Sequence, residues 1–417
     1  METLIIDGGR LKQSTFDKIG DGQPYGRVML AEGEYTADTP YKLNDCTTIT
    51  AEKNAVITLQ DNADPKKFKP QVPIFGQKNT TIRDVILENI VFFGNRDNQD
   101  ATPPWRGHDG KGAPVRYGQG YHNLAGFTNS KNITVRGVTI KHSLGDGLRL
   151  RYCDGVKYYQ NRVIECGHDG LYADTGSNVL AWDNYTELRV NSAIRLRGIT
   201  NGRICNNSVV NKVGGASTGP GIQIENSTET GTSDNTLVEN NYVSGNWGPA
   251  MWVIGTKNPS TKAAKNLTIR KNVFFNCGLN RNLAGVSGVS MDGWTQVKIE
   301  ENLFDSCKGY GVMIGPYRAG SAGKGYTVEI INNKFKNIQK GITEGTASGT
   351  AIANLIPSKY KITSKNNIFD GNYRNYYNVK GEGDRFGKPS IVMLSCAEDQ
   401  IHAVKAAAGE NPIYRRS

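Results

Sequence analysis

Eight short segments of the chain begin with Asn and run on into apolar residues. They are NRVIEC from Asn161, NYTELR from Asn184, NSVVNK from Asn207, NYVSGN from Asn241, NVFFNC from Asn272, NLFDSC from Asn302, NKFKNI from Asn333 and NIFDGN from Asn367. Successive starts are 23, 23, 34, 31, 30, 31 and 34 residues apart. Self-similarity at a period of about 20 to 50 residues is the mark of a solenoid, in which each unit buries its apolar face only against its neighbours. Between the Asn residues lie short alternating runs such as GLRLR, VKYYQ and RVIEC, which read as strands. No unit has room for a long helix. Three short strands per unit, punctuated by Gly, Asn and Asp, describe the coil of an all-β, single-stranded right-handed parallel β-helix. In such a coil Asn tolerates left-handed backbone at a turn and can hydrogen-bond along the stack.

Composition agrees with many tight turns. Only 37% of residues are hydrophobic while 49 are Gly, so the chain builds a thin, repeated core. The formal charge of +11 favours an anionic partner: nucleic acid, anionic lipid or an acidic polysaccharide. No Lys/Arg cluster interleaved with aromatics supports a nucleic-acid surface. No apolar run is long enough to span a bilayer, and METLIIDGGRLKQ lacks the apolar core of a secretory signal. The seven Cys include no CxxC pair, which argues against finger-type zinc sites. Cys166, Cys277 and Cys307 each follow a repeat Asn by five residues and are expected as buried thiols in one inward column; a Cys277–Cys307 disulfide is the alternative.

The expected layout is a β-helix over residues 1–372, with the first coils and cap in residues 27–60. A long loop leaves it at about 95–120, where PPWRGHDGKG breaks the period, and a C-terminal cap or tail fills 373–417.

One strand of each coil aligns as HNLAGFT from His122, GDGLRLR from Gly145, HDGLYAD from His168, NSAIRLR from Asn191, GPGIQIE from Gly219, GPAMWVI from Gly248, SGVSMDG from Ser287 and GYGVMIG from Gly309. Alternation points Leu148, Leu171, Ile194, Ile222, Met251, Val289 and Val312 inward. Outward, one column then reads Arg149, Tyr172, Arg195, Gln223, Trp252, Ser290. Its neighbour reads Arg151, Asp174, Arg197, Glu225, Ile254, Asp292. Asp146 and Asp169 precede these strands at equivalent positions 23 residues apart, so their backbones should stack about 4.8 Å apart. Two such carboxylates titrate as a pair with one proton held more tightly. That pairing suits glycoside hydrolysis, in which one acid protonates the leaving oxygen and one carboxylate attacks or activates water. His168 and Asp174 are placed to assist. An Asp–Gly pair is also simply a turn signal, and two in register beside Arg and His are needed to argue chemistry. Arg149, Arg195 and Arg197 suit sugar carboxylates. Gln223, Glu225 and Asn123 are further substrate-binding candidates, and Tyr121, Tyr172, Trp252 and Trp294 suit sugar stacking. Tyr121, His122 and Asn123 would form one end of the groove.

These strings resemble the pectate-lyase-like superfamily of right-handed β-helix proteins over roughly residues 25–372. The order of Asp146, His168, Asp169 and the IRLR strand with Arg195 and Arg197 is similar to polygalacturonase-type hydrolases. Their strings NTD, DD, GHG and RIK are absent, which leaves acid and base unassigned by motif. GNRDNQ, GYHN, GDGLRLRYCD, GHDGLYA and GPGIQI look closer to β-helix proteins of methanogenic archaea, among them the Methanosarcina disaggregatase type. The resemblance implies an endo-acting hydrolase on an acidic, uronate-containing polysaccharide, at work outside the cell and without a cofactor. Asp169 is the expected acid, crowded by His168 and Tyr172, and Asp146 the base or nucleophile. Two alternatives stand beside this. One is a lyase using Arg195 or Arg197 with His168 or Tyr172, with or without Ca2+ on Asp146, Asp169 and Asp174. The other is a non-catalytic carbohydrate-binding or adhesin solenoid.

Overall fold

A computed structural model describes residues 2–63, 72–99, 123–143, 145–189, 191–211, 219–226, 232–255, 264–279, 287–315, 325–340, 349–356, 359–378 and 391–393. Among them the one α-helix is the single turn Gln13–Phe16. The rest of the regular structure is parallel β-sheet, apart from one 3₁₀ turn at Arg96–Asn98. The fold is a right-handed parallel β-helix, and its residues group into two compact units, one up to Arg195 and one from Leu196 onward.

In the first unit, Glu2–Ile6 pairs with Tyr25–Leu30, which pairs with Thr48–Ala51, which pairs with Ile82–Glu88. Ala125–Arg136, Leu148–Tyr159 and Leu171–Trp182 continue the row. The stack thus begins ahead of residue 27. A second row runs through Gly33–Ala37, Ala55–Leu59, Val91–Phe93, Thr139–Lys141, Arg162–Cys166 and Tyr185–Arg189. Each of the long strands is two expected strands joined through a bend. In Leu148–Tyr159 the bend carries Tyr152 at φ 51 and Gly155 at φ 72. A Cβ added at Gly155 would come within 2.8 Å of Asn132 Oδ1, so the bend needs glycine for space as well as for φ.

In the second unit the three rows are separate. One holds Ile222–Glu225, Met251–Ile254, Ser287–Asp292, Tyr310–Ile314, Thr350–Asn354 and Arg374–Asn378. The second runs from Asp234–Glu239 through Ala264–Arg270, Trp294–Glu300, Tyr326–Ile331 and Tyr360–Lys365 to Ile391–Met393. Parallel pairing therefore continues past residue 372. The third runs from Ser208–Val210 to Ile368–Asp370 and stacks Phe274, Phe304, Phe335 and Phe369 at ring separations of 5.1, 4.7 and 5.5 Å.

The repeat Asn residues form hydrogen-bonded ladders. In the second unit the backbone N–H and Nδ2 of Asn272 both donate to Asn302 Oδ1 at 2.9 Å, and Nδ2 also donates to the Val238 carbonyl. Asn207, Asn241, Asn302 and Asn333 repeat the pattern towards Asn241, Asn272, Asn333 and Asn367. In the first unit Asn161 does the same to Asn184. The left-handed backbone, however, sits one residue earlier than expected. Gln160, Asp183, Asn206, Asn240, Lys271, Glu301, Asn332 and Asn366 have φ between 53° and 57°. The ladder Asn is held by its side chain, and the turn is made by whatever residue precedes it, including Gln, Lys and Glu.

The inward residues Leu148, Leu171, Ile194, Ile222, Met251, Val289 and Val312 are all buried, and each contributes roughly 1.5–3 kcal/mol. Cys166, Cys277 and Cys307 are buried free thiols, so the disulfide between Cys277 and Cys307 is not formed. The columns expected to face solvent are not exposed. Tyr172, Gln223, Trp252, Ser290, Asp174, Ile254 and Asp292 are buried, and Arg149, Arg195, Arg151, Arg197 and Glu225 are partly buried.

Candidate active site

In the first unit a second side-chain column runs beside the strands. The backbone N–H of Asp146 donates to Asn123 Oδ1 at 2.7 Å, that of Asp169 to Asp146 Oδ1 at 2.9 Å, and that of Ser192 to Asp169 Oδ1 at 2.8 Å. All four residues are fully buried. The Asp–Gly pairs are thus turns, as their sequence signals, and more: each Asp side chain receives the next coil's backbone through one oxygen and keeps the other. Gly147 and Gly170 follow because the next coil's carbonyl oxygen, on Gly170 and Ala193, would lie 2.5 Å from any Cβ.

The two carboxyls face a cluster of cations, Asp146 through both oxygens and Asp169 through Oδ2. His168 Nδ1 lies 2.5 Å from Asp146 Oδ1 and 3.1 Å from Asp169 Oδ2. Arg149 Nη1 donates to Asp146 Oδ2 at 3.2 Å. Arg195 Nη1 stands 3.7 Å from Asp169 Oδ2, which makes no aligned hydrogen bond although it is buried. The far ring nitrogen of His168 meets the Asn191 amide at 3.4 Å. Behind the column the Cys166 thiol contacts the Gly145 and Asp169 carbonyls at 2.7 and 3.2 Å.

This asymmetry separates the two carboxyls. Burial pushes both up. For Asp169 burial wins over His168 and Arg195, and its carboxyl lies above the usual range. For Asp146 the hydrogen-bonded His168 and the Arg149 guanidinium overcome burial and hold it below. Burial lowers His168, but Asp169 and Asp146 outweigh it and raise the imidazole above its ordinary value. Of the two carboxyls Asp169 therefore holds its proton the more tightly and Asp146 gives its proton up the more readily, while the imidazole holds its second proton more tightly than usual.

One carboxylate oxygen each from Asp146 and Asp169, with a His168 nitrogen, lie within 4.8 Å of one another, a spacing that could hold a metal ion. Two guanidinium groups already face both carboxylates, so the arrangement fits protons better than a divalent cation. Asp174 is not part of that group; it faces Arg151 Nε at 3.7 Å and Thr175.

The other expected site residues divide as follows. Arg149, Arg195 and Tyr172 belong to the cluster, but Tyr172 offers no open face for a sugar. The guanidinium carbons of Arg149 and Arg195 lie 4.8 and 4.5 Å from its ring centroid, and the ring is buried. It is a spacer between two cations. Trp294 is wholly buried, with its indole N–H on the Ile254 carbonyl, and so is a core residue. In the second unit Gln223 donates to Glu225 at 3.1 Å, Trp252 is buried, and Arg197 is partly buried. Tyr121 and His122 lie outside the described residues. Ser192, which donates to Asp169, stands just before its strand as Asn123, Asp146 and Asp169 do, a place the aligned segments already give it. Asn191, which meets His168, was not singled out from the sequence; its signal is its place at the head of the NSAIRLR segment.

Residues 233–410 match the family model described as disaggregatase related, and residues 121–261 match that of the right-handed β-helix region. The resemblance to disaggregatase-type proteins is borne out for the first stretch. The Asp pair falls in the second stretch alone. No curated protein matches the chain. Among solved structures, the A-module of the mannuronan C-5 epimerase AlgE4 of Azotobacter vinelandii is similar at 14% identity, over 93% of this chain and 100% of that one, with a TM-score of 0.60. PfbA, a surface adhesin of Streptococcus pneumoniae, is similar at 14% identity over 88% of each chain, TM-score 0.56. The catalytic domain of a GH87 α-1,3-glucanase in complex with nigerose follows at 11% identity, 95% of this chain and 68% of that one, TM-score 0.54. At these identities the likeness is one of fold.

Proposed function

We propose that the chain is an endo-acting glycoside hydrolase of an acidic, uronate-containing extracellular polysaccharide, with Asp169 as general acid and Asp146 as base or nucleophile. One observation carries this reading. The column needs only an oxygen that accepts the next coil's N–H, and Asn123 supplies it without charge at 2.7 Å. The fold therefore has no use for the charges of Asp146 and Asp169, and burying a carboxylate is costly. Their presence, with His168 between them, is explained by chemistry.

Asp169, whose proton burial holds more tightly, gives that proton to the glycosidic oxygen. Asp146, kept ionised by His168 and Arg149, attacks the anomeric carbon or takes a proton from water. The His168 imidazolium offsets the negative charge that Asp169 gains. Arg149 and Arg195, whose side chains are 14% and 12% exposed, are the cations that meet substrate carboxylates. The epimerase acts on mannuronan and the glucanase is an enzyme of an α-1,3-glucan, so similar solenoids serve polysaccharide chemistry; the adhesin is a surface protein.

The test is digestion of a uronate-containing polysaccharide. New reducing ends without ultraviolet absorbance from a conjugated double bond are expected, and Asp169→Asn should abolish the new reducing ends. Products carrying that absorbance would replace hydrolysis by β-elimination.

A further inference from the structure

Three buried polar atoms that make no aligned hydrogen bond belong to this one cluster: Asp169 Oδ2, which has only ion-pair contacts, Arg149 Nε and Asn123 Nδ2. The first two sit on groups already placed in the chemistry. The third is different. Asn123 stands one coil ahead of Asp146 in the same column and is 0% exposed. Its Oδ1 is committed to the Asp146 N–H at 2.7 Å. That bond fixes the amide, so Nδ2 takes the place in the side-chain pattern that the outer oxygens take in Asp146 and Asp169. The row of outer atoms thus reads donor, acceptor, acceptor. A buried amide that leaves both N–H groups unused costs roughly 1–3 kcal/mol. Serine or threonine, with a hydroxyl oxygen to accept the N–H, would serve the ladder without that cost.

Resting on the reading above, we propose that Asn123 is a substrate-contacting residue whose Nδ2 donates to an acceptor oxygen of the polysaccharide beside the bond that Asp146 and Asp169 act on. The group it recognises is a hydroxyl, carbonyl or carboxylate oxygen. An apolar substituent at that place would leave the donor unpaired and is selected against. Arg149 Nε, the second unused donor, widens the same preference for oxygen.

The experiment measures binding rather than turnover. In the Asp169→Asn background, which keeps the ladder bond, calorimetry follows oligogalacturonate and oligomannuronate, with a neutral glucan oligosaccharide as control. Asn123→Asp keeps Oδ1 and replaces the donor by an acceptor. Affinity for the acidic oligosaccharide that binds is expected to fall roughly tenfold or more, since an acceptor is then set against an acceptor. Should Asn123→Asp not fold, Asn123→Thr takes its place; its neutral hydroxyl keeps an oxygen for the Asp146 N–H, and the same loss is expected. Unchanged affinity in a folded variant overturns the contact and leaves the hydrolase reading standing. A wild-type protein that cleaves nothing yet binds glycan through Asn123 overturns the hydrolase reading and keeps the contact. Failure of both oligosaccharides to bind overturns both.

Discussion

Replacing Asp169 by Asn and by Ala separates what the fold requires from what the chemistry requires. In Asp169→Asn the Oδ1 atom still accepts the Ser192 N–H, now 2.8 Å away, as Asn123 Oδ1 does for Asp146 at 2.7 Å. A carboxyl that burial drives towards neutrality is exchanged for a neutral amide of the same shape, so the bond to Ser192 should change little. In Asp169→Ala the Ser192 N–H is left buried without an acceptor, at a cost of roughly 1–3 kcal/mol. Hydrogen exchange at Ser192 reads the difference locally, which suits a solenoid whose coils open separately. Exchange in the Ala variant should be roughly 5- to 150-fold faster than in the wild type, and in the Asn variant close to it. Cleavage of an acidic polysaccharide should fall about 10²- to 10⁴-fold in both, since general-acid catalysis is lost in each. An Asn variant that exchanges as fast as Ala shows that the fold needs the charge. One that keeps its turnover shows that the acid is elsewhere. Either result refutes the reasoning.

Stability should depend on pH through three groups. His168, raised by its two carboxylates, stabilises fully below the ordinary imidazole value of 6.5, and this is lost as pH rises through its folded value. Asp146, lowered by His168 and Arg149, stabilises above the ordinary 3.8, and this is lost as pH falls below it. Asp169, raised by burial, erodes stability as pH climbs from 3.8 to its folded value. Melting temperature against pH should therefore decline on the alkaline side, and His168→Gln should flatten that decline above 6.5. Arg149→Gln should weaken binding of acidic but not neutral oligosaccharides roughly ten- to hundredfold, read by calorimetry at fixed salt. Asn302→Asp should destabilise by roughly 3 kcal/mol or more in denaturant titration. It removes Nδ2 donors to the Ile269 carbonyl and Asn333 and buries a charge. Thiol reagents should label Cys46 and Cys205, which are partly exposed, well before the buried Cys153, Cys166, Cys277 and Cys307.

The coil was legible in the sequence because its determinants are local and repeated. Asn161 through Asn367 mark the register, and a register fixes every inward residue from Leu148 to Val312. The stacking of Asp146 on Asp169 followed from the same count. The aromatics were read less well. Alternation says that Tyr172 points out of the strand, but not that Arg149 and Arg195, one coil either side, fold over its ring. Trp294 looked like a surface platform because it lies beyond the aligned segment. It begins the next strand, where its side chain faces inward. The position of the left-handed turn was missed for a related reason. Lys271 and Glu301 carry φ of 54° and 57° without the residue types that signal it, since a ladder bond on the following Asn offsets a strain that is otherwise left to Gly or Asn.

The two columns explain why reactive carboxylates arise at one place in such a coil and not at the other. In the Asn ladder each side chain must accept and donate at once: Asn272 takes two bonds on Oδ1 from Asn241 and gives Nδ2 to Asn302 and Val238. A carboxylate cannot replace it. In the column of Asn123, Asp146, Asp169 and Ser192 the fold asks only for an acceptor, so an acid is tolerated and its second oxygen is left for other work. Tolerance alone would still leave two buried charges opposed. Arg149, Arg195 and His168 weight the cluster to the cationic side: two guanidinium groups and an imidazole that holds its proton more tightly than usual face two carboxyls, one of which burial drives towards neutrality. That surplus suits a polyanion and agrees in sign with the chain's net charge of +11. A bound uronate would in turn push the Asp169 and His168 protons to be held more tightly, because a like charge raises a carboxyl and an opposite charge raises an imidazole. Under the hydrolase proposal, binding of an acidic substrate would thus favour the proton on Asp169 that the general acid needs.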